Sequence, residues 1–437
     1  MKISGRTINP PTRHVSILLL TGLFLFFSFV TITQAGVETP ERRSDLDSHS
    51  LFEISLITIA PTDHLFEWFG HTVLSVKNRR TGNARAYSFG GFSFGVDDFL
   101  MFTMGNFKFW SYSSDTVKLL ERYRRKGRHI VVQQLRLTSL QTDRIMRQLT
   151  LAMKPENRFY EYDHFRDNCA TRLRNIVDRA LEGAIRRQSS ESAGMTIRDT
   201  VQRMTAHLPA LNFLLQFLLS SGTDQPINHW ETMFLPDRLM AVFQNTNNPE
   251  TGSPLVAKRS EVVPGTESPF FRKETSVPQT KGRDWGFGLT AGLMLMVSAW
   301  FYLRPHGGEN RFRGLQERAY PALVALFGAV FGLLGVVLFF MAVIASHKDV
   351  YWNENFFLLN PLTFVLLPLG LMRLFGRATR AFSMVSILCA VGAVIGFGLQ
   401  LLPAFSQDNG QQIRVLLPAL FIIGVTGYLE TRRSDRS

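Results

Sequence analysis

Cysteine is scarce in this chain of 437 residues, which contains only Cys169 and Cys389. Cys389 lies inside an apolar run of membrane length, so it cannot easily meet Cys169, and a disulfide framework is excluded. The histidines are scattered and form no ligand cluster with Cys169, so we expect neither a metal site nor a cofactor. Cys169 is therefore an unpaired thiol and a candidate reactive group.

Nucleic-acid-binding signatures are also missing, although the formal net charge is +13. The Lys and Arg residues are spread through loops and helix faces, and no zinc-finger, helix-turn-helix or RNA-binding motif accompanies them. We therefore expect no nucleic-acid partner. Contact with the headgroups of anionic membrane lipids is the better explanation of the charge.

The first part of the chain, residues 1–35, has the pattern of an export signal. Three basic residues precede an apolar stretch over 15–33, and Thr33-Gln34-Ala35 resembles a small-residue cleavage site. The apolar stretch is long for a signal peptide, so an uncleaved N-terminal anchor is the alternative. Either interpretation delivers the following residues across the membrane.

Residues 37–242 alternate between strand-like and helix-like patterns and contain no membrane-length apolar run, which predicts an exported α+β domain. Residues 243–284 are rich in Pro, Asn, Thr, Ser and Lys, which predicts a linker. The clearest predicted strands are 52–59, 72–77 and 130–137, and the clearest predicted helices are 140–153 and 168–181.

Residues 285–430 form a membrane domain by the same criteria, followed by a short tail over 431–437. A predominantly apolar run of about 20 residues is long enough to cross a bilayer as a helix. The five predicted spans are residues 286–303, 320–345, 356–372, 381–402 and 413–429.

The charges of the loops predict the orientation of these spans. Loops 304–319 and 373–380 and the tail carry ten Arg residues, whereas loops 346–355 and 403–412 carry Lys348 alone. Because Lys and Arg are retained on the cytoplasmic side, the ten Arg residues face the cytoplasm. The exported domain and the tail then fall on opposite sides, as five spans require.

The segment with the most chemistry is Tyr160-Glu-Tyr-Asp-His-Phe-Arg-Asp-Asn-Cys-Ala-Thr-Arg172. Asp167 or Asn168 is a good N-cap, which places Cys169 in the first turn of a helix. The helix dipole and free N–H groups at such a position stabilise a thiolate, the form that attacks carbonyl carbon. A core cysteine on the apolar face of a helix is the alternative.

A nucleophilic cysteine needs a base, and His71 is the best candidate because it begins a predicted strand directly after Gly70. His64 and His164 are weaker alternatives, and a purely structural His71 is a further one.

Two other segments have unusual compositions. Residues 87–94 predict a packed hairpin or loop, or one wall of an acyl or peptide groove.

The other unusual segment, residues 352–361, carries three asparagines at the outer end of the third span. Asn353, Asn355 and Asn360 are interpreted either as caps that hydrogen-bond helix ends or as a polar site for lipid headgroups.

Taken together, the motifs resemble the Lnb-type lipoprotein N-acyltransferases, which have a periplasmic domain followed by a five-helix membrane domain. The resemblance lies in Phe69-Gly-His-Thr72, Tyr87-Ser-Phe-Gly90, Tyr162-Asp163 with Asp167-Asn-Cys-Ala-Thr-Arg172, and Trp352-Asn-Glu-Asn355 with Asn360-Pro361. It implies a permuted papain-like fold, as in lecithin retinol acyltransferase, in which the His strand precedes the Cys helix.

By that resemblance, Cys169 is the nucleophile and His71 the base. Ser88 and Ser93 stand where more polar or acidic residues are expected, so the third, orienting group is unassigned. The supporting candidates close to Cys169 in the sequence are Asp163, Asp167, Asn168, Thr171 and Arg172.

The resemblance further implies a bacterial inner-membrane enzyme with its catalytic domain in the periplasm. The acyl donor would be a phospholipid, and the acceptor would be the N-terminal cysteine amine of a lipoprotein. The residues alone leave two alternatives open. One is a membrane-tethered cysteine peptidase or amidase, and the other is a non-catalytic assembly factor.

Overall fold

A computed structural model of the chain describes residues 50–62, 67–93, 95, 101, 104–263, 281–304, 313–345 and 347–434. These residues form a mixed α/β domain with an antiparallel sheet, followed by five long apolar helices. The predicted signal segment and His64 lie outside the described residues.

The main sheet of the first domain has seven strands, all paired antiparallel, in the order β6-β4-β3-β2-β1-β5-β9. A separate pair, β7 and β8, forms a small second sheet. The strands are β1 Phe52–Ile59, β2 His71–Asn78, β3 Ala84–Gly91, β4 Lys108–Asp115, β5 Ile130–Leu135, β6 Phe159–Glu161, β7 Ser192–Thr196, β8 Pro226–Asn228 and β9 Val256–Val263.

Helices of the first domain cover the sheet and extend from it toward the membrane domain. They are α1 Thr116–Arg125, α2 Ser139–Ala152, α3 Cys169–Ala180, α4 Ala184–Gln188, α5 Ile197–Thr205, α6 Pro209–Leu218, α7 His229–Thr232 and α8 Pro236–Asn245. The predicted helices 140–153 and 168–181 correspond to α2 and α3, and the predicted strands to β1, β2 and β5.

The two faces of the sheet have separate cores because side chains alternate along each strand. On one face, Leu74 of β2 packs with Leu173 of α3. On the other face, Val73 packs with Leu119 of α1. Strand β2 is therefore buried on both sides, and His71 is its first residue.

The predicted linker is wrong over its first part. Helix α8 continues to Asn245, and β9 pairs with β5 as the edge strand of the main sheet. Most of the side chains of β9 are exposed, so a polar composition is compatible with this edge position. Residues 264–280 of the predicted linker lie outside the described residues. The first five residues of the segment over 87–94 belong to β3 of the β2–β3 hairpin, which is compatible with the predicted packed hairpin or loop.

The described residues of the second domain contain five helical stretches that are long and apolar enough to cross a membrane. They are Gly286–Leu303, Glu317–Ile344, Glu354–Leu374, Thr379–Leu399 and Gly410–Arg433, close to the predicted spans. Their helices are α9 Lys281–Leu303, α10 Arg313–Phe327, α11 Leu333–Phe339, α12 Pro361–Leu374, α13 Thr379–Leu399 and α14 Gly410–Ser434, and π-helical turns at Gly328–Gly332 and Phe340–Ile344 follow α10 and α11.

The first domain docks on loops at one end of these helices. The guanidinium of Arg166 forms two hydrogen bonds with the carboxylate of Asp349, at 2.8 and 3.0 Å. Gln407 donates a side-chain hydrogen bond to the carbonyl of Leu219 at 3.0 Å. Asp349 and Gln407 belong to the two loops that are poor in positive charge. The docking and the loop charges therefore agree on which end of the bundle faces the exported domain.

Candidate active site around Cys169

Cys169 is the first residue of α3, and Asn168 is the N-cap of this helix. The side-chain oxygen of Asn168 accepts hydrogen bonds from the N–H groups of Ala170 and Thr171, both at 2.9 Å. In return, the hydroxyl of Thr171 accepts a hydrogen bond from the N–H of Asn168 at 2.8 Å. Asn168 and Thr171 therefore form a capping box, which fixes the position of the cysteine between them.

The sulfur of Cys169 lies among backbone N–H groups. The N–H groups of Thr72, Ala170 and Cys169 itself hydrogen-bond the sulfur and lower the pKa of the thiol. Burial has the larger effect and raises the pKa to about 11, from an ordinary value of 9.0. These N–H groups stabilise the thiolate as expected. The free energy needed to remove a charged sulfur from water is larger, so the net effect favours the neutral thiol. The resting group is a neutral thiol.

His71 begins β2 after Gly70, whose φ of +76° is a conformation that favours glycine. The Nε2 atom of its ring lies 3.0 Å from the hydroxyl oxygen of Ser88 on the neighbouring strand β3. Burial and, to a smaller extent, the positive charge of Arg128 lower the pKa of His71, and the carboxylate of Glu67 raises it; the resulting pKa is about 4. The imidazole is therefore neutral at pH 7 and has a free lone pair to accept a proton.

The sulfur and the imidazole approach the end of β2 from different sides. Alternation places His71 with Val73 on the α1 face, whereas Cys169 packs against the core on the α3 face. The sulfur nevertheless reaches the backbone N–H of Thr72, the residue next to His71. Within the described residues, the ring of His71 is hydrogen-bonded to Ser88 rather than to Cys169. The pairing of Cys169 with His71 stays a prediction.

Ser88 is the residue that the sequence interpretation left without a role. The register of the β2–β3 hairpin pairs Leu74 with Tyr87, and its continuation brings His71 opposite Gly90, diagonal to Ser88. A Cβ atom on Gly90 would lie 2.6 Å from Cε1 of His71, so the absence of a side chain there gives the imidazole room. The signal was present in the sequence as Tyr87-Ser-Phe-Gly90, but it required the strand register to be known.

Asp167 and Arg172 form a bidentate ion pair, with both N–O distances at 2.7 Å. The guanidinium of Arg172 also lies 3.6 Å from the centre of the Tyr160 ring. The hydroxyl of Tyr160 donates a hydrogen bond to the carbonyl of Phe89 on β3. These contacts connect the start of α3 to the sheet, so Asp167 and Arg172 have structural partners and do not contact His71 through these hydrogen bonds.

Asp163 closes the turn that leads into α3. Its backbone exchanges two hydrogen bonds with Asp167, both at 3.0 Å, and its carboxylate accepts from the N–H groups of Phe165 and Arg166 at 3.0 and 2.9 Å. Because Arg166 also binds Asp349 of the membrane domain, this turn joins the cysteine helix to the bilayer side of the molecule.

Aromatic side chains lie near the partly buried thiol of Cys169. Tyr162 stacks on Phe109 with 4.1 Å between ring centres, and its hydroxyl lies 3.1 Å from Nδ1 of His164. Burial raises the pKa of Tyr162, and the nearby Cys169 raises it further. Burial also lowers the pKa of His164 to about 4. Sequence reasoning missed Tyr162 as a neighbour of the sulfur, although it lies only seven positions before Cys169.

The three asparagines of the membrane domain hydrogen-bond helix ends. Asn353 donates to the carbonyls of Phe217 and Leu218 at 3.0 and 2.9 Å, and Asn355 donates to the carbonyl of Phe217 at 2.8 Å. Asn360 is the N-cap of α12. The amide donors of Asn353 and Asn355 therefore bind the C-terminal end of α6, as the capping interpretation expects.

A second motif escaped the sequence interpretation: residues 91–95, Gly-Phe-Ser-Phe-Gly, have the Gly-x-Ser-x-Gly spacing of serine-hydrolase elbows. Ser93 is exposed and follows the end of β3 at Gly91. An elbow also needs a helix directly after the turn, and residues 96–100 lie outside the described residues. Ser93 is thus a residue to test beside Cys169.

Among the described residues, no group of three or more His, Cys, Asp or Glu side chains could hold a metal ion.

The geometry defines a class of protein: an α/β domain with a partly buried thiol at a helix start, docked on a multi-pass membrane domain. The model of the Lnb N-terminal periplasmic domain matches residues 38–205, and that of the Lnb transmembrane domain matches residues 314–410. The chain therefore belongs to the Lnb family. Searches of the curated proteins and of the solved structures gave no match.

Proposed function

We propose that this protein is a thiol-dependent lipoprotein N-acyltransferase of the bacterial inner membrane. It would move an acyl chain from a phospholipid to the α-amine of a lipoprotein's N-terminal, diacylglyceryl-modified cysteine. Membership of the Lnb family supports an acyltransferase activity. We also infer a permuted papain-type arrangement, because the strand of His71 precedes the helix of Cys169 and belongs to the sheet on which this helix packs.

The first step forms a thioester on Cys169. Because His71 and Cys169 lie on different faces of the sheet, the imidazole must first turn past the end of β2 to meet the sulfur. The thiol proton then passes to His71 as the sulfur attacks the ester carbonyl of the phospholipid. The tetrahedral intermediate collapses with loss of the glycerol oxygen, which takes the proton from His71 and leaves as a lysophospholipid. In the second step, the lipoprotein amine attacks the thioester and gives one proton to His71. An amide bond forms, and the proton returns to the sulfur of Cys169.

The neutral state of both groups suits this mechanism. A thiol with a pKa of about 11 needs a base during attack, and an imidazole with a pKa of about 4 is free to accept the proton at pH 7. In the tautomer in which the Nε2–H of His71 donates to the hydroxyl of Ser88, Nδ1 is the nitrogen that accepts the proton. The N–H groups of Cys169 and Thr72, which contact the sulfur, are the candidates for binding the oxyanion.

The observation that carries the proposal is the position of the thiol relative to the bilayer. Cys169 follows Arg166 by three residues, and Arg166 binds Asp349 in a loop between two membrane spans. Both substrates of the proposed reaction are held in lipid. A thiol fixed next to the membrane domain can reach them without extracting them into water.

Mass spectrometry of lipoprotein N-termini tests the proposal in cells that depend on this protein. The Cys169→Ser and His71→Gln variants should leave lipoproteins without the N-acyl chain, whereas the Cys389→Ser and Ser93→Ala controls should keep it. Normal N-acylation with Cys169→Ser would refute the thiol mechanism. Loss with Ser93→Ala alone would move the nucleophile to the serine motif. Purified protein, given a labelled phospholipid with either a diacylated lipopeptide or a muropeptide, separates the transferase from an amidase.

One observation favours a second candidate, a non-catalytic assembly factor. The raised pKa of Cys169 is also what a structural core cysteine would have. A phospholipid analogue with an electrophilic ester distinguishes the two. A catalytic Cys169 should form a thioester that hydroxylamine removes, and a structural Cys169 should form none.

A further inference from the structure

Helix α6, Pro209–Leu218, has its polar side chains turned inward. Asn212 and Gln216 are each 3% exposed. Asn212 donates a hydrogen bond to the hydroxyl of Thr205 at 2.9 Å, and Gln216 donates to the carbonyl of Arg198 at 3.3 Å. A helix at the surface of a water-soluble domain has the opposite arrangement, with polar residues facing outward.

The outward face of α6 is a row of leucines at positions i, i+3, i+4 and i+7. These are Leu211, Leu214, Leu215 and Leu218, which are all partly exposed; Leu218 ends the row where it meets the core of the membrane domain. This spacing places them along one side of the helix. We call this row the leucine stripe. A continuous apolar row of this kind on a helix end of the domain needs an apolar neighbour.

The contacts of α6 with the membrane domain place the leucine stripe beside the bilayer. Phe217 is fully buried in the core of the membrane domain, and Phe213 and Leu218 pack against the same core. The last carbonyls of α6 accept hydrogen bonds from Asn353 and Asn355, at the start of the span Glu354–Leu374. The helix therefore ends at the depth where a membrane span begins.

We propose that α6 lies in the outer interface of the bilayer, with the leucine stripe among the acyl chains of the periplasmic leaflet. An interfacial helix buries its apolar face just below the headgroups. The inward amides of Asn212 and Gln216 are bonded to the domain, so the side of α6 that faces the lipid carries no unpaired amide. Residues 209–218 lie outside both family matches, and the proposal does not depend on acyl transfer.

Electron paramagnetic resonance of the full chain in phosphatidylethanolamine–phosphatidylglycerol nanodiscs tests this position. A spin label is attached at Leu214→Cys in a background of Cys169→Ser and Cys389→Ala. Two reference labels share that background: Lys118→Cys on the exposed surface of α1, and Leu388→Cys on an exposed position of the span Thr379–Leu399. Collisions with oxygen, which concentrates in lipid, are compared with collisions with a water-soluble nickel complex.

The label at Leu214 should collide with oxygen severalfold more often than the label at Lys118, and with nickel severalfold less often, as the Leu388 label does. Accessibility equal to that of Lys118 would overturn the proposal. A second copy of the chain on the leucine stripe would also overturn it, and dipolar broadening between two Leu214 labels, relieved by dilution with unlabelled chain, would reveal that copy. The Leu388 label must first report lipid, which confirms that the protein is inserted.

Discussion

The Nε2 atom of His71 lies 3.0 Å from the hydroxyl of Ser88, across the neighbouring strands β2 and β3. This contact gives the imidazole a polar partner that the sequence alone did not assign. Ser88 also accepts a hydrogen bond from the N–H of Gly90 at 3.2 Å, so its oxygen is held between the strand backbone and the ring. The contact leads directly to a test of the orienting group.

Ser88→Ala should lower the rate of acyl transfer by about five- to tenfold, because one net hydrogen bond of roughly 1 kcal/mol no longer orients the imidazole. The rate is measured with a labelled phospholipid and a diacylated lipopeptide. Ser113→Ala is the matched control, because Ser113 bonds Arg85 on the exposed end of the same sheet. A faster Ser88→Ala enzyme would show that Ser88 holds the ring away from the thiol.

Gly90→Ala should lower acyl transfer by about 100-fold, since a displacement of a reacting group by about 1 Å can cost this much. The added Cβ would stand 2.6 Å from Cε1 of His71 and must push the imidazole aside. Gly222→Ala is the control, because its nearest neighbour, the hydroxyl of Ser220, would be 3.8 Å away. Unchanged kinetics with Gly90→Ala would exclude His71 as the base, provided the thermal unfolding midpoint is also unchanged.

The thiol of Cys169 should react with iodoacetamide slowly at pH 7 and about tenfold faster for each pH unit up to pH 10, because only the thiolate reacts. Its pKa is raised to about 11, so loss of protons at higher pH increases the thiolate fraction throughout this range. The measurement uses Cys389→Ala protein, and the same chain in denaturant is the control. At pH 7 the denatured thiol should react roughly 100-fold faster, as two pKa units imply. Fast, pH-independent alkylation of the folded protein would mean that the thiolate is already formed.

The ion pair between Arg166 and Asp349 should couple the turn that leads into α3 to the membrane domain. Arg166→Gln and Asp349→Asn are each expected to lower the thermal stability in detergent, and the double variant should lose little more than either one. The coupling free energy should be about 0.5–1 kcal/mol, as for a well-aligned exposed ion pair. The helical pair Glu121–Arg125 on the exposed surface of α1 is the control: water screens both charges, so the pair should show less coupling and its variants should leave acyl transfer unchanged. Strict additivity of Arg166→Gln and Asp349→Asn would contradict the coupling.

The local helices and strands near the site and the five membrane spans could be predicted from the amino-acid sequence alone. Asn168 caps the helix of Cys169, the strand of His71 follows Gly70, and five apolar spans alternate with loops of unequal charge. These features depend on residues that are neighbours along the chain, and on the length of apolar runs, so periodicity and capping rules are sufficient to predict them.

The protonation states of Cys169 and His71 and their contacts depend on how the whole chain folds. Burial keeps Cys169 a thiol although the helix start favours a thiolate, because desolvation depends on everything packed around the sulfur. The contact of His71 with Ser88 required the register of two strands, and β9 required a partner 126 positions earlier in Ile130–Leu135. The docking of Arg166 on Asp349 joins residues 183 positions apart. Such contacts join residues that are far apart in the chain, so they cannot be predicted from a local sequence pattern.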